Sequence, residues 1–192
     1  MKIAQQRGIN TNEAYKADYF LKPAAPTFGV FLSEEEISKL YQLPLTEKNQ
    51  KYDKYRDMFL IGCYTGLRVS DYTKLKKEHF RTTSEGNLVI DIFTQKTEKP
   101  ISLPVLYEEL QAIIEKYHYD FPKVLPQKIN ENIKIIARMA GITEKITYQK
   151  YKGGKVIEAI DEKCDLIASH TGRRSAVTNL WRQGMDLSDI QI

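Results

Sequence analysis

The hydrophobic period of this chain changes twice, and these changes constrain its fold more than any other feature of the sequence. Apolar residues recur at helical spacing from Leu32 to about Lys76. Short β-branched and apolar runs then fill the stretch from Leu88 to Val105, after which helical spacing returns. The pattern predicts a mainly α domain that carries small antiparallel β-hairpins.

Local signals mark where several of these elements begin and end. Ser33 precedes Glu36 by three residues, which predicts a capping box at the start of a helix. Gly66 is expected to end the second helix, because glycine tolerates the turn. The predicted helices span about 52–64, 69–76, 105–117, 128–140 and 171–183, and the predicted strands span 88–94 and 101–105, with a second hairpin over 145–160 that turns at Gly153 and Gly154.

A linker separates the first residues from the rest of the chain. Residues 22–29 contain proline and glycine and show neither a helical nor a strand period. We therefore expect residues 1–28 to be an arm and residues 29–192 to form a domain.

Charge and composition limit the possible partners without choosing one. The chain has 29 basic and 25 acidic residues, a net charge of +4, which permits a nucleic-acid partner but does not demand one. It has neither a secretory signal nor an apolar run near the roughly 18–20 residues of a membrane span. Cys63 and Cys164 are expected to be free thiols in a reducing cytoplasm, because their spacing fits no metal finger.

Three polar motifs could carry chemistry. Arg68 lies at a helix–turn–helix junction with Asp71 three residues later on the same predicted face, a pair that could also be a surface salt bridge. Lys96 lies near the tip of the first hairpin, where a solvated charge is the ordinary interpretation. His170 and Arg173 share one side of a helix start that would suit a phosphate, although a solvated basic cluster has the same pattern.

Together, these motifs resemble the tyrosine recombinase (phage integrase) family in type, order and spacing. Thr-Gly-Leu-Arg with a following acidic residue, Gln-Lys-Thr on a hairpin and His-x-x-Arg occur in that order at 65–71, 95–97 and 170–173. The resemblance covers about residue 30 to the end, and residues 1–28 look like the linker and the tail of the family's core-binding domain. It implies the fold of the family's catalytic domain.

Members of this family cut and rejoin double-stranded DNA through a 3′-phosphotyrosine and need neither a metal nor a cofactor. By this resemblance, Arg68 and Arg173 would clamp the phosphate, and Lys96 would be the general acid, with Lys99 as its competitor. His170 would contact the phosphate or help move the proton of the nucleophile.

Two neighbouring residues have supporting roles in this interpretation. Asp71 would orient Arg68. Arg174 would point about 100° away from Arg173 on the helix. Arg174 and Lys99 are expected to contact the DNA backbone. The alternative for Arg174 is that it forms an ion pair.

The sequence departs from the family pattern after the last motif. All 12 tyrosines precede His170, and neither the Gly-His element nor the nucleophilic tyrosine of the family is present, although residues 186–192 resemble the lead-in to the former. We therefore expect a C-terminally incomplete catalytic domain that is inactive and monomeric by itself, while the full-length parent would assemble with other protomers on DNA.

Other functions remain compatible with the sequence. A bacterial or phage-encoded integrase of a mobile element, acting in the cytoplasm at the nucleoid, is the main expectation. A non-catalytic DNA-binding regulator derived from a shortened integrase is the first alternative, and a helical interaction domain with accidental motif matches is the second. RNA binding is less favoured, because no aromatic-rich strand is evident. Convergence of the polar motifs in one place would favour the recombinase.

Overall fold

The computed structural model describes residues 7–8, 28–96, 98–152, 155–186 and 190, without the side chains of residues 151, 152 and 155. Residues 29–148 and 160–192 group into one compact unit, and residues 1–28 group with 149–159 into another. Most of the predicted arm, Thr97, the expected turn at Gly153 and Gly154, and most of the segment 187–192 lie outside the described residues. In the part that is described, no helix has the length and apolar character needed to cross a membrane.

Helices dominate the larger unit, and the strands form two small antiparallel sheets, which confirms the predicted fold class. Short 3-10 helices at Gln50–Tyr52 and Lys77–His79 connect some of the elements. The helices are α1 (Glu34–Gln42), α2 (Asp53–Thr65), α3 (Val69–Tyr72), α4 (Glu108–Lys116), α5 (Pro126–Met139), α6 (Lys163–Leu166) and α7 (Ser169–Arg182), and the strands are β1 (Phe80–Thr82), β2 (Leu88–Phe93), β3 (Pro100–Pro104), β4 (Lys145–Lys152) and β5 (Lys155–Glu162).

Two of the predicted helix boundaries are confirmed by their hydrogen bonds. The backbone N–H of Glu36 donates to Oγ of Ser33 at 3.3 Å, and the N–H of Ser33 donates to a carboxylate oxygen of Glu36 at 2.8 Å. Helix α2 ends before Gly66, whose φ of 68° is left-handed and is readily adopted by glycine. Both signals act within a few residues, so the sequence alone predicted them.

The predicted third helix was too long. It ends at Tyr72 instead of about Lys76, and the hydroxyl of Thr73 donates to the carbonyl of Val69 within this single turn. A 3-10 helix then occupies Lys77–His79. The fourth helix was predicted to begin at Val105 but begins at Glu108, because the N–H of Val105 extends the sheet by donating to Leu88.

Strands β1, β2 and β3 form an antiparallel sheet with β2 in the middle. Ile90 of β2 lies opposite Phe80 on one side and Leu103 on the other. Strand β1 was not predicted, because it is three residues long and too short to show a strand period. The loop from β2 to β3 closes where the N–H of Thr94 donates to the carbonyl of Lys99 at 2.9 Å, so this hairpin presents Lys96 at its tip.

Helix α2 is the centre of the core. It contacts α1, α4, α5 and α7, and its residues 58–61 are completely buried. Burying a large apolar side chain contributes roughly 1.5–3 kcal/mol. Since α2 is anchored in this way along its length, the turn that follows it, which carries Arg68, starts from a fixed position.

Candidate functional site

Arg68 occupies the turn between α2 and α3. It is the residue just before α3, with an extended backbone (φ −71°, ψ 150°). Its Nη1 atom is buried and has no hydrogen-bond partner in the described part of the chain. A buried donor of a charged group is costly to leave unsatisfied, so this position favours an anionic ligand.

A second guanidinium reaches the same turn from α7. Nη1 of Arg173 donates to the carbonyl of Gly66 at 2.7 Å. A Cβ atom on Gly172 would lie only 3.3 Å from the backbone of Gly62 and Cys63, so glycine at this position lets α7 approach α2 closely. The close approach places Arg173 beside the turn of Arg68.

The two guanidinium groups affect each other electrostatically. The pKa of Arg173 is lowered by burial first and by the charge of Arg68 second, while Asp71 acts in the opposite direction. An arginine stays protonated in a protein in spite of such a shift. The two positive charges therefore repel each other, and a negatively charged group between them would be stabilised.

His170 lies one turn before the second of these arginines, at an exposed position in α7. Its pKa is lowered from 6.5 by partial burial and then by the charges of Arg174, Arg173, Arg68 and Lys96. Four cations from α7, the α2–α3 turn and the β2–β3 hairpin thus act on one imidazole. The structure brings together the four residues that the sequence analysis proposed as catalytic.

Asp71 is buried between the turn and the hairpin. One of its oxygens, Oδ1, accepts hydrogen bonds from the N–H of Gln95 at 3.2 Å and from the hydroxyl of Ser70 at 3.4 Å, and Oδ2 lacks a partner in the described chain. We expected Asp71 to orient Arg68, but these two described residues form no ion pair. Arg68 is the residue just before the helix, and an orienting role of Asp71 stays a prediction.

The two hairpin lysines differ in their surroundings. Both are exposed. The backbone of Lys99 is tied to Thr94, with its N–H donating to Oγ1 and its carbonyl accepting from the N–H. The charge of Lys96 lowers the pKa of His170, which favours Lys96 over Lys99 as the lysine that faces the site.

Arg174 contacts the beginning of the larger unit. Its Nη1 donates to the carbonyl of Val30 at 3.0 Å. Two further side chains of α7 bind Leu32, whose N–H donates to Oγ of Ser175 at 2.8 Å and whose carbonyl accepts from Asn179 at 3.1 Å. This attachment of α7 to residues 30–32 was not predicted, because it joins segments 143 to 147 positions apart. Contact of Arg174 with DNA stays a prediction.

Asn130 was also missed. Its Oδ1 accepts a hydrogen bond of 2.7 Å from the N–H of Ser169, the first residue of α7. The residue before α7 is Ala168, which has no side-chain acceptor. An alanine at a position that usually holds Ser, Thr, Asp or Asn is the sequence signal that a cap from elsewhere is needed.

One group of possible metal ligands lies on the α6 side of the unit. Ligand atoms of Glu162, Cys164 and Asp165 lie within 4.8 Å of one another. Both carboxylates accept hydrogen bonds from the guanidinium of Arg138, at 3.2 and 2.8 Å. Arg138 therefore already supplies the positive charge that these carboxylates need.

Comparison with known proteins identifies the family and the fold of the chain. The family model of the phage integrase family matches residues 30–192 of this chain. Two solved structures of the XerH site-specific recombinase are similar in fold. One is bound to the difH substrate in a pre-cleavage complex (TM-score 0.58), and the other to a palindromic difH substrate in a post-cleavage complex (TM-score 0.59).

The two similarities have the same extent. Each has 16% sequence identity and covers 86% of this chain and 46% of the XerH chain. The chain therefore spans about half the length of these recombinases, and at this identity the likeness shows a shared fold. No curated protein matches the sequence.

Proposed function

We propose, since the chain belongs to the phage integrase family, that it provides the catalytic domain of a site-specific DNA recombinase. The observation that carries this proposal is the convergence of Arg68, Lys96, His170 and Arg173, whose charges act on one another across three separate elements. A cluster of cations with a buried unsatisfied donor is suited to bind a phosphate of the DNA backbone.

In this proposal, the two arginines bind the non-bridging oxygens of one DNA phosphate. Arg68 approaches from the α2–α3 turn with a free Nη1 atom, and Arg173 is held at the same turn by Gly66. Each guanidinium offers donors in a fixed fork, which matches the geometry of a phosphate. Negative charge grows on these oxygens when the phosphate is attacked, and losing one such donor typically slows a reaction by about 10²- to 10³-fold.

The other two residues would handle protons. A tyrosine oxygen attacks the phosphorus and forms a 3′-phosphotyrosine, and the bond to the 5′-oxygen breaks. Lys96 would give a proton to that leaving oxygen, and His170 would contact the phosphate or accept the proton of the tyrosine hydroxyl. The reverse attack by the 5′-hydroxyl of another strand restores the phosphodiester. The proposed chemistry requires neither a metal nor a cofactor.

Further partners of the site belong to the same proposal. Lys99 and Arg174 would contact the DNA backbone, and other protomers would join the complete protein on DNA. That the 192-residue chain is by itself a monomer, and that the protein acts in the cytoplasm at the nucleoid, stay predictions. Light scattering of the purified chain tests the first of these.

The proposal is tested by measuring the affinity of the chain for a fluorescent DNA duplex at several salt concentrations. We expect binding that weakens steeply as salt rises. The variants R68A and R173A should bind at least about tenfold more weakly, because each removes a charged donor worth more than 1.4 kcal/mol. R173K should restore only part of the loss, since lysine lacks the planar fork.

Arg81 provides a matched control. It is an exposed arginine on β1 that pairs with Asp91 at 2.8 Å. R81A removes the same charge from outside the proposed site, so we expect less than about a threefold change in affinity. Equal losses in R81A and R173A, or no DNA binding at low salt, would contradict the proposed function. Circular dichroism spectra establish that each variant is folded.

A further inference from the structure

Helix α7 carries both His170 and Arg173, and its first turn lacks a cap of its own. Ala168, at the N-cap position, has a methyl side chain and an extended backbone (φ −143°, ψ 171°). The first N–H groups of a helix have no partner within the helix. A local side-chain oxygen normally satisfies one of them, and replacing such a residue by alanine typically costs about 1 kcal/mol.

Asn130 supplies the missing oxygen from another helix. Its Oδ1 accepts the N–H of Ser169 at 2.7 Å, although the two residues are 39 positions apart. The hydroxyl of Thr171 accepts the N–H of Ala168 at 3.1 Å and completes the start of the helix. The first turn of α7 is therefore fixed partly by its own threonine and partly by a side chain of α5.

The position of Asn130 is itself rigid. Asn130 is the fifth residue of α5 and lies between Ile129 and Ile133, which are both completely buried. A helix fixed in the core on both sides of this residue leaves the amide little freedom to move. Because the core holds Asn130 in place, its hydrogen bond also fixes the position of Ser169, the residue that precedes His170.

We propose that Asn130 is a positioning residue of the catalytic site, which caps α7 from α5 and so holds His170 and Arg173 where they face Arg68 and Lys96. This inference rests on the proposed function, because it assigns the cap a role in binding the DNA phosphate. It concerns a residue that makes no contact with the phosphate in the proposed mechanism.

Replacing Asn130 by alanine should loosen the start of α7. We expect N130A to lower Tm by about 2–4 °C, which corresponds to a lost helix cap in a chain of this length. The amide of Ser169 should lose protection from hydrogen exchange. DNA affinity, measured well below Tm, should fall about fivefold, because binding must then restore the helix start at a cost of ~1 kcal/mol.

Asn132 offers the matched control on the same helix. Its side chain donates to the carbonyl of Lys128 at 2.7 Å. N132A should change DNA affinity less than about twofold. The conservative variant N130D keeps an oxygen that can accept from Ser169 and adds a negative charge at a helix start, which is favourable. It should therefore restore both Tm and the protection of the Ser169 amide.

A double-mutant cycle separates positioning from a general loss of stability. If Asn130 acts through Arg173, N130A should weaken DNA binding about fivefold in the wild-type chain but less than about twofold in R173A. A lower Tm with unchanged DNA affinity, or the full fivefold loss in the R173A background as well, would overturn the inference. Failure of the proposed function has a different signature, namely that R173A itself binds DNA no more weakly than R81A.

Discussion

Oδ1 of Asp71 accepts a hydrogen bond of 3.2 Å from the backbone N–H of Gln95, and this bond joins α3, which directly follows Arg68, to the hairpin that carries Lys96. Asp71 is 6% exposed, so water competes weakly for the carboxylate. The bond runs to the residue immediately before Lys96. The position of the proposed general acid is therefore tied to that of Arg68, which we propose to bind the phosphate.

We predict that D71A loosens the β2–β3 hairpin and that D71N does so much less. Alanine removes the acceptor, whereas asparagine retains an oxygen in the same place. A hydrogen bond to a charged group contributes about 1.5–3 kcal/mol, and the unpartnered Oδ2 lowers the net loss to the bottom of that range. Tm of D71A should therefore fall by about 3–6 °C.

Hydrogen exchange at the Gln95 amide provides the local measurement of this effect. The amide should exchange faster in D71A and keep most of its protection in D71N. Equal exchange rates in the wild type and D71A would mean that Asp71 does not hold the hairpin.

We predict that Lys96, and not Lys99, faces the proposed catalytic site. The charge of Lys96 is one of those that lower the pKa of His170. K96A should therefore raise the pKa of His170 toward its ordinary value, and K99A should leave it nearly unchanged. NMR titration of the three histidines, with H170Q to assign the resonance, makes the comparison. A larger shift in K99A would reverse the assignment of the general acid.

Capping signals in the sequence predicted the helix boundaries that depend on neighbouring residues. The capping box of Ser33 and Glu36 and the helix end at Gly66 involve contacts over at most four positions. Helix α3 was predicted too long because apolar spacing continues to Leu75, which is buried although it lies outside the helix. Burial of that side chain in the core requires no helix.

The contacts that arrange the site join distant parts of the chain. Asp71 binds Gln95 across 24 positions, and Asn130 binds Ser169 across 39. Residue types and motif order predicted which side chains would converge, but no local pattern encodes which amide a carboxylate or a carboxamide will reach. The orientation of Arg68 by Asp71 stays a prediction, although these two described residues form no ion pair.

We predict that the affinity for DNA rises as the pH is lowered through the titration of His170. In the free domain, burial and four neighbouring cations hold the pKa of His170 below its ordinary value of 6.5. A bound phosphate adds negative charge beside the imidazole and raises this pKa. The bound state then takes up a proton between the two pKa values, so lower pH favours binding.

The pH dependence of stability has the opposite sign. The unfolded chain binds the proton of His170 more strongly than the folded domain does, so the free energy of unfolding should rise as the pH is raised toward 6.5 and then level off. Anisotropy titrations and urea unfolding between pH 5.5 and 8 measure the two effects. H170Q should flatten both profiles, and an unchanged profile in H170Q would assign the proton to another group.

We predict that this chain forms no covalent adduct with DNA, because we expect it to contain no nucleophilic tyrosine. Tyr72 is the tyrosine closest in sequence to Asp71, but it is completely buried, and burial raises the pKa of its hydroxyl, which disfavours the reactive phenolate. The measurement is a denaturing gel of the chain after incubation with a labelled duplex. A band that retains both protein and label, and that R173A abolishes, would contradict this prediction, and replacing the 12 tyrosines one at a time would then identify the nucleophile.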